Sequence, residues 1–185
     1  MPLLVIGVGV MAEAVTKISE TAMSGSSVTL TSIPQTYDDL VLMIHTQSDD
    51  TTSNSGLRYT KLYYNAGTLG SGSERAMYQS GTSAGWYQTV NGYLTTVTAS
   101  IDTSSNTGTG YTYLYMPAYA GTSYAKTFRF ITGSVTQQSL GPSNQMWQGF
   151  WVCGTTTALS SLQIDVDVGS YTSGSQCSLY GIKGP

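Results

Sequence analysis

The sequence predicts an all-β protein: a jelly-roll-like antiparallel β-sandwich preceded by an extended N-terminal arm. Three observations carry that expectation. First, 27 Thr, 25 Ser and 21 Gly fill 73 of 185 positions, while only 9% of residues are charged. A coiled coil or helical bundle needs many Glu, Lys, Ala and Leu, so both are excluded. Second, 14 Tyr and a 40% hydrophobic share argue against disorder, which goes with high charge and few aromatics. Third, β-branched and aromatic segments recur between Gly- and Ser-rich gaps, with no long amphipathic helix among them. Antiparallel sheets of that kind bury one face against another sheet.

The elements follow in order. Residues 1–26 read as an arm and 27–185 as one sandwich domain. Ala14 to Thr21 has apolar Val15 and Ile18 at mixed spacing and fits a helical turn or an extended segment. Ser27 to Thr31 alternates cleanly. Asp39 to Thr46 (DLVLMIHT) holds five consecutive apolar residues, which predicts a strand buried on both faces. Leu57 to Tyr64 is the next strand. Ala76 to Gln79 and Gly85 to Val90 read as short aromatic strands, and Tyr93 to Ile101 alternates. Tyr111 to Met116 (YTYLYM) has period two, with Tyr111, Tyr113 and Tyr115 on one face. Tyr124 to Ile131, Gln145 to Cys153, Leu159 to Val168 and Gln176 to Ile182 complete the set. No repeat of fixed period appears, which disfavours a β-helix or a propeller.

The formal net charge is −3, and the seven basic residues are scattered. No basic patch marks a nucleic-acid surface or an anionic membrane surface, so neither is expected as a partner. The opening MPLLVIGVGV is apolar but too short to span a bilayer, which takes about 20 residues. It imitates a secretory core with Ala12-Glu13-Ala14 as a cleavage-like site, but no Lys or Arg precedes it. The favoured reading is an anchoring arm, with Leu3, Leu4, Val5, Ile6, Val8 and Val10 docking on a neighbouring subunit. Cys153 and Cys177 read as buried small hydrophobes rather than a disulfide framework.

Chemistry is sparse. His45 is the only histidine and lies in the most apolar strand. A hydrogen bond within the sheet is its expected role. One His and two distant Cys do not make a zinc site, and no Gly-rich phosphate cradle occurs. Asp165 and Asp167 share a strand face, roughly 7 Å apart, a separation compatible with glycoside hydrolysis. Alternation in LQIDVDV instead puts Leu162, Ile164, Val166 and Val168 on the core and the aspartates outward. Asp49-Asp50 lacks calcium-loop spacing, and Asp38-Asp39 reads as turn chemistry before a strand. No catalytic residue, cofactor or metal is therefore expected. Exposed Tyr and Trp give large contact area at low entropy cost. Trp86, Tyr87 and Tyr93 are candidates for glycan or partner contact, as are Trp147 and Trp151, although most rings are expected to pack in the sandwich or between subunits.

Ser32-Ile33-Pro34-Gln35-Thr36-Tyr37-Asp38-Asp39-Leu40-Val41-Leu42 resembles the opening of a family of small tailed-phage virion proteins found in marine and cyanobacterial phages. Further pieces recur in the same order: Leu57-Arg58 before Tyr64-Asn65, Tyr119-Ala120-Gly121-Thr122 before Lys126-Thr127, Gly149-Phe150-Trp151 before Ala158-Leu159-Ser160-Ser161-Leu162, and Leu179-Tyr180-Gly181-Ile182 near the end. The likeness covers about residues 28–182. It implies a jelly-roll-like virion component with no catalytic residues to carry over. The expectation is a non-enzymatic protein decorating or cementing a phage head, a homotrimer contacting the major capsid protein. It would be made in the host cytoplasm and carried on the outer surface of the particle. The alternative is a receptor- or glycan-binding tail-fibre module.

Overall fold

A computed structural model describes residues 14–50, 57–65, 72–80, 83–91, 93–100, 108–138 and 141–184. Twelve strands run through them. They are β1 (Ala14–Ala22), β2 (Ser27–Leu30), β3 (Asp39–Ser48), β4 (Leu57–Tyr64), β5 (Gly72–Ser80), β6 (Ser83–Asn91), β7 (Leu94–Ser100), β8 (Gly108–Pro117), β9 (Lys126–Gln138), β10 (Gly141–Cys153), β11 (Leu162–Val166) and β12 (Gln176–Lys183).

The strands form two antiparallel sheets packed as a sandwich. The larger runs β1-β12-β3-β8-β9-β10-β5-β6 and the smaller β2-β11-β4-β7. They join where the ends of β3 and β7 pair in parallel, Gln47 with Ala99 and Ser48 with Ser100. Residues 14–22, within the segment read as an arm, are extended and pair along β12 from Ala14–Lys183 to Ala22–Gln176. The apolar residues Leu3, Leu4, Val5, Ile6, Val8 and Val10 lie outside the described residues.

Period two sets the core. In β8, Thr112, Leu114 and Met116 are buried, while Tyr111 and Tyr113 are exposed and Tyr115 half-buried on the opposite face, the expected arrangement. From the large sheet Leu40, Leu42, Ile44, Phe128, Phe130 and Trp151 point inward; from the small sheet Leu30, Leu62, Tyr64, Ile164 and Val166 meet them. Phe128 bridges the layers, its ring 6.0 Å from Tyr64 and 5.2 Å from Trp151. Aromatic pairs at such spacing add about 0.5–1.5 kcal/mol each beyond area burial.

Three expectations need correction. β3 is not buried on both faces: Met43 is 47% exposed and His45 is exposed, because no described element packs over the outer side of the large sheet. The rings of Trp147 and Trp151 pack in the core, at 8% and 1% exposure. Val168 is 43% exposed because β11 ends at Val166. β11 also begins later than alternation suggests. Leu159 is fully buried, but its N–H donates to the Tyr119 carbonyl (3.0 Å) rather than to a sheet ladder.

Candidate functional site

Residues from four separated stretches, Ile33–Gln35, Tyr64-Asn65, Ala118–Lys126 and Thr157–Ser161, converge at one pole of the sandwich and hold it shut. Asn65 Oδ1 accepts from the N–H groups of Ser160 (2.8 Å) and Ser161 (3.2 Å), while its amide donates to the Ala158 carbonyl (2.9 Å). Gln35 Nε2 donates to the Leu159 carbonyl at 2.7 Å, and Ile33 N–H to that of Ser160 at 3.0 Å. The Tyr64 hydroxyl donates to the Thr157 carbonyl and the Tyr119 hydroxyl to that of Pro34. Buried Lys126 closes the adjacent turn by donating to the carbonyls of Ala118 and Gly121. Burial lowers its pKa. This pole is a structural lock with every named polar group engaged.

The acidic candidates are also engaged in holding the fold. Asp165 accepts from the Ser27 hydroxyl (2.6 Å) and from Gln163 Nε2, and Asp167 accepts from Tyr59 N–H (3.0 Å). Asp49 caps Ser170 N–H at 2.7 Å, and Asp50 pairs with Arg58. Asp39 accepts from the Tyr115 hydroxyl (2.5 Å) and Ala118 N–H (2.9 Å). Asp38 binds Gly184 N–H (2.7 Å) and Lys183, which hold its carboxyl below the usual range. No group of three or more His, Cys, Asp or Glu converges among the described residues.

His45 stands on the outer face of β3, its Nδ1 3.4 Å from the Gly174 carbonyl oxygen, a long contact. A hollow of about 460 Å³ also holds Ser178 and Glu20. Register places Ser178 opposite Met43 and Glu20, so Ser178 and His45 are diagonal neighbours. No hydrogen bond joins them, and Glu20 is paired with Lys17.

What stands out is the outer face of the large sheet. Register builds one continuous row across eight strands: Glu20, Ser178, Met43, Tyr113, Ile131, Gln148, Met77 and Trp86. The neighbouring row is Tyr180, Val41, Tyr115, Arg129, Phe150, Arg75 and Gln88. Met43, Met77, Tyr113, Ile131, Phe150 and Trp86 are exposed, Trp86 at 80%. Large aliphatic and aromatic side chains in one contiguous patch mark a contact surface. A groove of about 960 Å³ opens over β9, β10, β5 and β6, floored by Phe150, Ile131 and Met77 and flanked by Trp86, Arg75 and Arg129.

Of the three expected contact residues, Trp86 lies at this groove. The Tyr87 side chain lies outside the described residues. Tyr93 is elsewhere, beside the smaller sheet, where its ring sits 5.4 Å from that of Tyr63 with Lys61 Nζ 5.3 Å from its centroid. Sequence reading missed Arg75, Arg129 and Phe150. They lie far apart in the chain, and only the β9-β10-β5 register aligns them. Compared with known proteins, the chain matches no family model, no curated protein and no solved structure.

Proposed function

We propose that this chain is a non-enzymatic structural protein of a tailed-phage particle, a jelly-roll-like sandwich that decorates or cements the head. The observation that carries the reading is the exposed apolar and aromatic row across the large sheet. It is an extended contact surface, while the histidine and acidic candidates form no catalytic constellation among the described residues. The phage assignment itself rests on the residues that resemble virion proteins. Attachment is assigned to the apolar segment Leu3–Val10, docking on the major capsid protein, with the sheet face left for contacts on the outer surface.

Association into homotrimers belongs to the same proposal. Edge strands expose unpaired N–H and C=O groups, and charges or bulges normally guard them. The β1 edge is guarded by Lys17, Glu20 and a register shift. The β6 edge, SAGWYQTVN, contains no charged residue, which supports contact with a like copy. Two measurements test the reading: particle binding by a chain lacking residues 1–12, and copy number by quantitative mass spectrometry. Loss of binding with the fold intact, and copy numbers on the scale of the shell's own subunits, are expected. Unchanged binding by the truncated chain sinks the anchor. A copy number on the scale of a tail assigns the chain to the tail.

A second reading, a glycan-binding module, is favoured by one observation: the indole of Trp86 is 80% exposed at the rim of the 960 Å³ groove, a position suited to stacking on a sugar ring.

A further inference from the structure

We infer that the groove over β9, β10, β5 and β6 is a binding site for an acidic polysaccharide, one carrying uronate carboxylates. This inference deepens the second reading above and rests on it.

Charge comes first. The chain as a whole is acidic, with net charge −3. Yet none of the described residues lining this groove is Asp or Glu, and two are arginines. Arg129 and Arg75 flank Phe150 in a single cross-strand row. Their backbones are therefore two strand spacings, roughly 10 Å, apart. Both are exposed and neither forms an ion pair among the described residues. Elsewhere the basic residues Lys17, Arg58 and Lys183 are paired with acids. Two unpaired guanidinium groups over an apolar floor present bidentate donors to carboxylates, and to several at once when these repeat along a chain.

The surroundings select a sugar rather than an acidic peptide. Strands β9, β10 and β5 are each paired on both sides. The floor therefore has no spare backbone N–H or C=O for an extended peptide, whose own groups need partners when desolvated. A pyranose carries no such backbone. Its C–H faces pack on the rings of Trp86 and Phe150. Its hydroxyls meet the side-chain amides of Gln88 and Gln148, which both donate and accept. A groove of about 960 Å³ is also within the range of built ligand sites.

The test is affinity electrophoresis of the full chain through native gels containing polygalacturonate, alginate, neutral dextran or poly-glutamate. Retardation by the polyuronates alone is expected, weakening as salt rises. Arg75→Gln and Arg129→Gln each weaken it about tenfold, and Trp86→Ala abolishes it, all three with an unchanged far-ultraviolet circular dichroism spectrum. Dextran retardation that survives both arginine substitutions overturns the acidic ligand while leaving the glycan reading intact. Retardation by no polysaccharide overturns both. Equal retardation by poly-glutamate overturns the sugar in favour of an acidic protein segment.

Discussion

The ring of Tyr37 lies directly over Gly181 of β12. A Cβ at position 181 would come within 2.3 Å of the ring's Cγ. The arrangement recurs. Tyr111 covers its cross-strand partner Gly133, and Tyr78 covers Gly85, each hydroxyl 2.9 Å from where a Cβ would stand. A glycine in a strand has no side chain to pack, and a ring from a neighbouring segment fills the gap. Part of the excess of Tyr and Gly in this sequence therefore has one structural cause. Gly181→Ala is expected to displace the Tyr37 ring and to lower stability by about 1–3 kcal/mol in urea unfolding. In a Tyr37→Ala background the same change should cost almost nothing. Additive effects of the two substitutions would show that ring and glycine are not coupled.

Glu74 supplies a pH dependence. Its side chain points into the sandwich from β5, opposite Trp151, and is fully buried. One carboxyl oxygen accepts from Thr95 N–H at 3.2 Å; the other has no partner among the described residues. Burial pushes the carboxyl up to about 7 from its ordinary 4.5, and the Thr95 N–H only partly opposes this. The folded chain therefore holds a proton that the unfolded chain has already released between about pH 5 and pH 7. Stability is highest below that window and falls as pH rises through it, by up to about 3 kcal/mol. Glu74→Gln keeps the shape without the charge. It should match the unsubstituted chain near pH 5, exceed it near pH 8, and flatten the urea midpoint against pH between them. An unchanged slope in the variant would assign the dependence to another group.

The strand class was legible because period two survives where one face is apolar and the other is not, as in β8. It failed where both faces carry large apolar side chains. In β10, Met146 and Phe150 point outward while Trp147 and Trp151 point inward, and alternation alone does not say which set is the core. Glu74 was invisible for a related reason: Arg75 follows it, so a charge sits on each face of β5. The groove was beyond sequence reading, because Arg129, Phe150 and Arg75 become neighbours only through the register of three strands. Asp165 and Asp167 lie, as alternation predicts, on the outward side of β11 and in the turn after it. Their hydrogen bonds to Ser27 and Tyr59 belong to strand pairing that spacing alone does not reveal.

Cys153 and Cys177 are free thiols at 0% and 1% exposure. Burial raises both pKa values, that of Cys177 to about 11. A thiol reacts as its thiolate and needs access to the reagent, so both are expected to be inert in the folded chain. Ellman's reagent should therefore give no colour in native buffer, and both thiols should react in denaturant. Reducing agent should leave the thermal midpoint unchanged. Rapid reaction of either thiol in native buffer would show that its strand opens locally.

The three tryptophans divide by environment, and fluorescence reads the division directly. Trp86 is 80% exposed on the outer face, while Trp147 and Trp151 are 8% and 1% exposed in the core. Trp147 sits between the rings of Tyr59 and Tyr78, with centroids 6.0 Å and 6.1 Å away. Iodide, which does not enter the core, should quench only the Trp86 component, leaving a blue-shifted remainder. Trp86→Phe should remove the quenchable fraction with little change in stability, since an exposed side chain contributes little burial. Trp151→Phe should instead cost about 1–3 kcal/mol, because it leaves a gap beside Phe128. Should polyuronate protect Trp86 from iodide in the unsubstituted chain, the same signal would place the sugar in the groove. Quenching of the buried pair in the folded chain would mean that the two sheets separate in solution.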